Sequence, residues 1–115
     1  MIFVFGSNLA GRHGKGAAKY ALNHHGAIYG QGEGLQGNSY ALPTKDENLM
    51  SLPLQGVDRS IATFLFFARD NPEMQFALTP VGCGLAGHSK REIWAVLQHY
   101  TLTPNVFLTS TWVTA

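Results

Sequence analysis

Apolar positions along the chain follow two periods. Ile2-Phe-Val-Phe5 is an unbroken β-prone apolar run stopped by Gly6, the pattern of a buried strand. Ala17 to His24 favours a helix, with Gly26 as its stop. Ala27 to Tyr29 reads as a short strand, and Ser39 to Leu42 as another, closed by Pro43. The clearest helix runs from about Val57 to Arg69. Val57, Ile61, Phe64, Leu65 and Ala68 recur at helical spacing and form one apolar face, and Asn71-Pro72 ends it. Gln75 to Val81 reads as a strand. Ser89 stands as an N-cap with Glu92 three residues on, the spacing of a capping box, and opens a helix reaching about Tyr100. Val106 to Thr109 closes the pattern as a strand.

Strands alternating with helices predict an α/β sandwich with a mainly parallel sheet. In such folds ligands sit beyond the carboxyl ends of the strands. Three glycine-rich stretches follow strand candidates: Gly6 to Gly16, Gly30 to Gly37 and Gly82 to Gly87. Any one of them is explained by ordinary turn chemistry. Three that converge on one rim, two of them opening helices, point to phosphate binding. Glycine lets backbone N–H groups approach an anion, and a helix N-terminus adds a favourable dipole.

Composition narrows the class. A chain of 115 residues, 45% hydrophobic, supports a single domain over residues 1–115 and argues against disorder. Its net charge of +1 excludes a protein that coats DNA electrostatically. One cysteine permits no disulfide within the chain, so a reducing compartment is expected. No apolar stretch approaches the ~18 residues of a membrane span. The apolar start lacks the basic region and cleavage pattern of a signal peptide. The expectation is a cytoplasmic protein with neither DNA nor membrane as partner; whether copies of the chain assemble is left open.

Two nucleotide motifs fail on inspection. Gly6-Ser-Asn-Leu-Ala-Gly11 has Walker spacing, but Arg12 and His13 stand where Lys and Ser/Thr are required. Gly82-Cys-Gly-Leu-Ala-Gly87 has the dinucleotide spacing, yet lies late in the chain with no acidic residue about 20 positions on. Arg12, His13 and Lys15 form a cationic cluster suited to a diphosphate or simply to water. His24-His25 lacks the spacing of helical metal ligands, and no metal or cofactor is expected. Cys83, near a helix start, is a candidate for a lowered thiol pKa. Glu33, and next Asp46, are the carboxylates best placed for proton transfer, though a lone carboxylate is more simply read as solvated. His88 either meets a ligand phosphate or begins the helix. Tyr20, Tyr29 and Tyr40 are candidates for stacking on a base, while Phe64, Phe66, Phe67 and Trp94 read as core.

Three segments together resemble a small macrodomain, the fold that binds ADP-ribose and related nucleotides. Gly6-Ser-Asn-Leu-Ala-Gly-Arg-His-Gly-Lys-Gly-Ala-Ala18 is similar to that family's first ligand loop. Ser39-Tyr-Ala-Leu-Pro-Thr-Lys45 is similar to the lysine-bearing strand of the terminal ADP-ribose glycohydrolase branch. Phe76-Ala-Leu-Thr-Pro-Val-Gly-Cys-Gly-Leu85 is similar to that branch's second phosphate loop. The likeness spans about residues 2 to 98, and the whole chain also resembles small proteins carried by bacteriophages.

This resemblance implies a three-layer α/β/α sandwich with a mainly parallel mixed sheet, and a ligand of ADP-ribose type. It puts Ser7, Asn8, Gly11, Arg12, His13, Gly14, Lys15 and Gly16 at the first loop, with Asn8 at the distal ribose. Gly82, Cys83, Gly84, Leu85, Ala86 and Gly87 form the second. Lys45 matches the lysine that attacks the anomeric carbon. The chain departs from the branch at Ala86, where the branch carries its catalytic aspartate. Alanine moves no proton and resolves no adduct. The expectation is therefore a binder, in one version a phage protein that sequesters a host immune signal. The rivals are a hydrolase using Lys45 with Glu33 or Asp46, and a protein-interaction module whose glycines serve turns alone.

Overall fold

The computed structural model describes residues 1–113. Five strands form one mixed sheet: β1 (Ile2–Asn8), β2 (Gly34–Gln36), β3 (Ser39–Lys45), β4 (Phe76–Leu78) and β5 (Val106–Leu108), in the spatial order β2-β3-β1-β4-β5. β1, β3, β4 and β5 are mutually parallel, and β2 runs antiparallel on the edge beside β3. Three helices complete the fold: α1 (Gly16–His24), α2 (Leu54–Asp70) and α3 (Lys90–Leu97). A 3₁₀ turn at Ser110–Trp112 follows β5.

β1 is central and its side chains alternate between two cores. Val4 faces the larger, where it meets Leu42, Phe76 and Leu78 of the sheet and Val57, Ile61, Phe64 and Ile93 of α2 and α3. Phe5 faces the smaller, with Ala18 and Ala21 of α1 and Ala41 of β3. One helix therefore covers one face and two cover the other. The small alanines of α1 let that helix lie close to the sheet. On the opposite face Phe64 packs edge-on to Tyr40 and Phe76, with ring centroids 5.0 and 5.3 Å away. The helical face expected from Val57 to Ala68 is the buried face of α2.

Several boundaries differ from those the pattern predicts, each for a local reason. Ala27–Tyr29 is not a strand; the short strand lies instead at Gly34–Gln36, inside the second glycine stretch. There the buried Gln36 side chain anchors it: its Oε1 accepts from Ile28 N–H and its Nε2 donates to the carbonyls of Gln31 and Gly34. β3 runs past Pro43 to Lys45. β2 pairs only with Ser39 to Ala41, so the missing N–H of Pro43 falls where that edge is already open. β4 is confined to Phe76–Leu78, and Gln75 and Thr79 to Val81 lie outside it. α2 begins at Leu54, ahead of the expected Val57, with Pro53 as its N-cap. α3 carries the expected capping box, Ser89 Oγ accepting from Glu92 N–H and the Glu92 carboxylate accepting from Ser89 N–H. It ends at Leu97, because His99 and Tyr100 turn more tightly, onto the carbonyls three residues back.

Two buried polar contacts close the far edge. Asn105 Nδ2 donates toward the carbonyls of Ala68, Asn71 and Met74, tying the end of α2 to the start of β5. Trp112 Nε1 donates to Leu78 O at 2.7 Å. β5 is an outer strand of the sheet.

Tyr40 gives this core a pH signature. Burial, reinforced by the Glu33 carboxylate, pushes its phenol up to about 12. A phenol unfolded at about 10 binds its proton less tightly than the folded one, so its contribution to stability is complete below pH 10 and disappears towards pH 12. Denaturant titrations across that window should show the wild type losing stability more steeply than Tyr40→Phe.

Candidate functional site

The carboxyl ends of β1, β3 and β4 meet at one rim, and the chain leaves them in opposite directions. β1 leads to α1 on one face; β3 and β4 lead to α2 and α3 on the other. Chains that diverge in this way leave a crevice between them. Here it is a cleft of about 570 Å³. The end of β1 supplies Gly6, Ser7 and Asn8, and the end of β3 supplies Thr44 and Lys45. Thr79 to Gly82 follow β4, Gly14 to Ala18 span the start of α1, and Gly84, Leu85 and Ala86 form the opposite lip. Arg12, Tyr29 and Leu49 complete the lining.

The floor is built by a register shift. Ser7 pairs with Pro43 but Asn8 with Lys45, so Thr44 is extruded from the ladder and its hydroxyl donates to Ser7 O at 3.3 Å. Such a bulge re-aims side chains at a strand end. Beyond it the Asn8 carboxamide closes the first loop: Oδ1 accepts from Arg12 N–H and Nδ2 donates to Arg12 O, both at 2.9 Å. Asn8 is thus a cleft residue whose two polar atoms each already hold one loop contact.

The second glycine stretch backs the first and adds little lining of its own. Gly32 lies flat against the backbone of Asn8 and Leu9, where any Cβ would collide with the Asn8 carbonyl. Gly11, at φ +71°, is pressed in the same way onto Gly30 and Gln31. Ser7 Oγ donates to Gly32 O across the seam at 2.5 Å. His13 lies fully buried under the loop and not on the cleft. Its Nε2 faces two acceptors, Gln31 O at 3.0 Å and Gln36 Oε1 at 3.2 Å, which places the proton on that nitrogen. Nδ1 is left as the buried polar side-chain atom without a partner among the described residues.

The lining carries three cations, Arg12, Lys15 and Lys45, and no carboxylate. A chain of net charge +1 therefore concentrates its positive field in this cleft. No ion pair engages any of the three among the described residues. α1 begins at the cleft with Lys15 as its N-cap, no side-chain cap and no acidic residue in its first turn, so its leading amides point outward unsatisfied. On the other lip the N–H groups of Gly84, Leu85 and Ala86 donate to no carbonyl among the described residues. That loop is fixed from behind: Ser51 Oγ donates to Ala86 O at 2.6 Å, and His88 Nε2 donates to Leu52 O at 2.9 Å.

Of the residues singled out from the sequence, the structure gathers Ser7, Asn8, Arg12, Gly14, Lys15, Gly16, Lys45, Gly82, Gly84, Leu85 and Ala86 around the cleft. Gly11, His13, Cys83 and Gly87 support the loops without lining it. Glu33 is exposed on the turn into β2, away from the cleft. Asp46 is engaged in its own turn, Oδ1 accepting from the N–H groups of Asn48 and Met50. The lowered pKa expected for Cys83 is reversed. Burial raises it, and the thiol donates to Val81 O with α3 starting only at Lys90. Among the tyrosines, Tyr40 is core and Tyr20 packs at a tilt against His24 and His25, whereas Tyr29 stands exposed on the cleft. Sequence reasoning did not single out Gly6, Ala17, Ala18, Thr44, Leu49 or the Thr79-Pro-Val81 segment as lining. The signal for Thr44 was its place next to Lys45 at a strand end; Leu49 carried none.

Comparison of the chain with protein-family models, with curated proteins and with solved structures finds no match. The class defined by fold and site is a mixed α/β protein with a cationic cleft at the carboxyl ends of its parallel strands.

Gly32→Ala tests whether the second stretch holds the first. Overpacking against the Asn8 carbonyl should cost about 1–3 kcal/mol of unfolding free energy in denaturant titration. Gly14→Ala, where a Cβ meets open space, should cost far less.

Proposed function

We propose that the chain is a macrodomain-like module that holds ADP-ribose, or a signalling nucleotide derived from it, without hydrolysing it. The observation that carries this reading is the cleft's composition: Arg12, Lys15 and Lys45 with no carboxylate, between two sets of open backbone amides. Cations and amides together suit a diphosphate, whose charge-assisted hydrogen bonds are the strong ones. Exposed Tyr29 beside them suits a base or ribose. One helix on one face of the sheet and two on the other support the three-layer α/β/α arrangement that a macrodomain-like fold requires.

Holding is favoured over hydrolysis by the same composition. A hydrolase needs a group that moves a proton. Ala86 stands on the lip, Asp46 is tied into its turn and Glu33 lies off the cleft. Lys45 alone supplies no acid–base pair. Sequestration of a host's nucleotide signal by a phage-borne protein is the biological version of this reading.

Calorimetric titration with ADP-ribose, with chromatography of the same samples, tests it. Binding should weaken as salt rises, and the nucleotide should be recovered intact. Arg12→Ala and Lys15→Ala should each lower affinity about tenfold, the loss expected for a hydrogen bond to a charged group in a half-open site. Absence of binding overturns the reading; recovery of a new product replaces holding by hydrolysis.

A further inference from the structure

Leu49 is the residue other than glycine that takes a positive φ among the described residues, at 63°. A leucine in the left-handed region is strained, and such strain persists only where the surroundings impose it. They do so here through backbone groups and one carboxylate. Asp46 N–H donates to Met50 O at 2.8 Å and Leu49 N–H to Asp46 O at 3.1 Å, while Asp46 Oδ1 accepts from Asn48 and Met50. None of these contacts uses the Leu49 side chain, so glycine or asparagine would make the same turn with less strain. Nor does the core use it: Leu49 belongs to neither buried cluster and remains 39% exposed. Leu49 lines the cleft, four residues from Lys45. Two other exposed, largely apolar residues, Tyr29 and Leu85, line the same cleft. A cleft built for a bare anion has no use for three such groups.

We propose that Leu49 is a specificity-determining contact, held in its strained turn by Asp46 as a positioning residue so that an apolar wall meets the uncharged, organic part of a phosphorylated ligand. This rests on the reading of the cleft as a nucleotide site. Leu49 therefore separates a nucleotide from a simple phosphate and takes no part in anion binding itself.

The test compares ADP-ribose with inorganic pyrophosphate on the wild type, Leu49→Asn and Leu49→Gly, with thermal unfolding of all three proteins. The wild type should bind ADP-ribose more tightly than pyrophosphate. Both variants should lose about tenfold or more in ADP-ribose affinity, the scale of one branched side chain's burial, with pyrophosphate affinity unchanged. Both should melt no lower than the wild type, since the strain is relieved and no core contact is lost. Unchanged ADP-ribose affinity in the variants, or equal loss of both ligands, overturns the role of Leu49 and leaves the anion cleft standing. Equal wild-type affinity for the two ligands does the same. A wild type that binds neither overturns the nucleotide reading, and this inference with it.

Discussion

The carboxamide of Asn8 is the contact on which the site depends. β1 is paired with β3 from Phe3 to Asn8 and with β4 over Ile2 to Val4, so its backbone cannot move without unpairing its neighbours. Where that ladder stops, the chain must turn towards α1 without leaving buried polar groups unmet. Asn8 does this by holding both backbone groups of Arg12. The glycines packed behind it, Gly11 and Gly32, bring a second loop against the first so closely that no side chain fits between them. A rigid strand end, a side-chain clasp and a backbone-to-backbone seam together set where Arg12, Lys15 and the first amides of α1 stand.

This rigidity explains how so few charges can make a concentrated field. Only 13% of the residues are charged. Exposed ion pairs elsewhere contribute little; Arg69–Asp70, with both side chains more than half exposed, is of the weak surface kind. In the cleft, three cations share a half-enclosed space with aligned amides and no opposing carboxylate. Two carboxylates off the lining hold local structure instead. Asp46 organises the turn that presents Leu49, and Glu92 closes the N-terminus of α3.

The large elements were legible because their signals are local. The apolar face of α2, the capping box at Ser89 and the apolar run of β1 each follow from periodicity or cap chemistry within a few residues. β2 was not, since a three-residue edge strand of Gly34, Leu35 and Gln36 carries no alternation long enough to read. Its partner strand and the buried amide of Gln36 decide it. Likewise Pro43 looked like a strand end because the rule for proline concerns hydrogen bonds, and only the extent of β2 shows that none is missing there.

By itself the sequence determined an α/β chain with a largely parallel sheet, glycine loops after its strands, and a set of cations and glycines suited to an anion. Those properties depend on neighbours in the chain. Tertiary structure decided which of these residues meet. It buried His13 beneath the loop, raised the thiol of Cys83, turned Asp46 into a turn organiser and placed Tyr29 and Leu49 on the cleft. The physical reason is that a side chain's role depends on burial and on partners distant in sequence. Residue type and spacing constrain those only weakly until the sheet order is set.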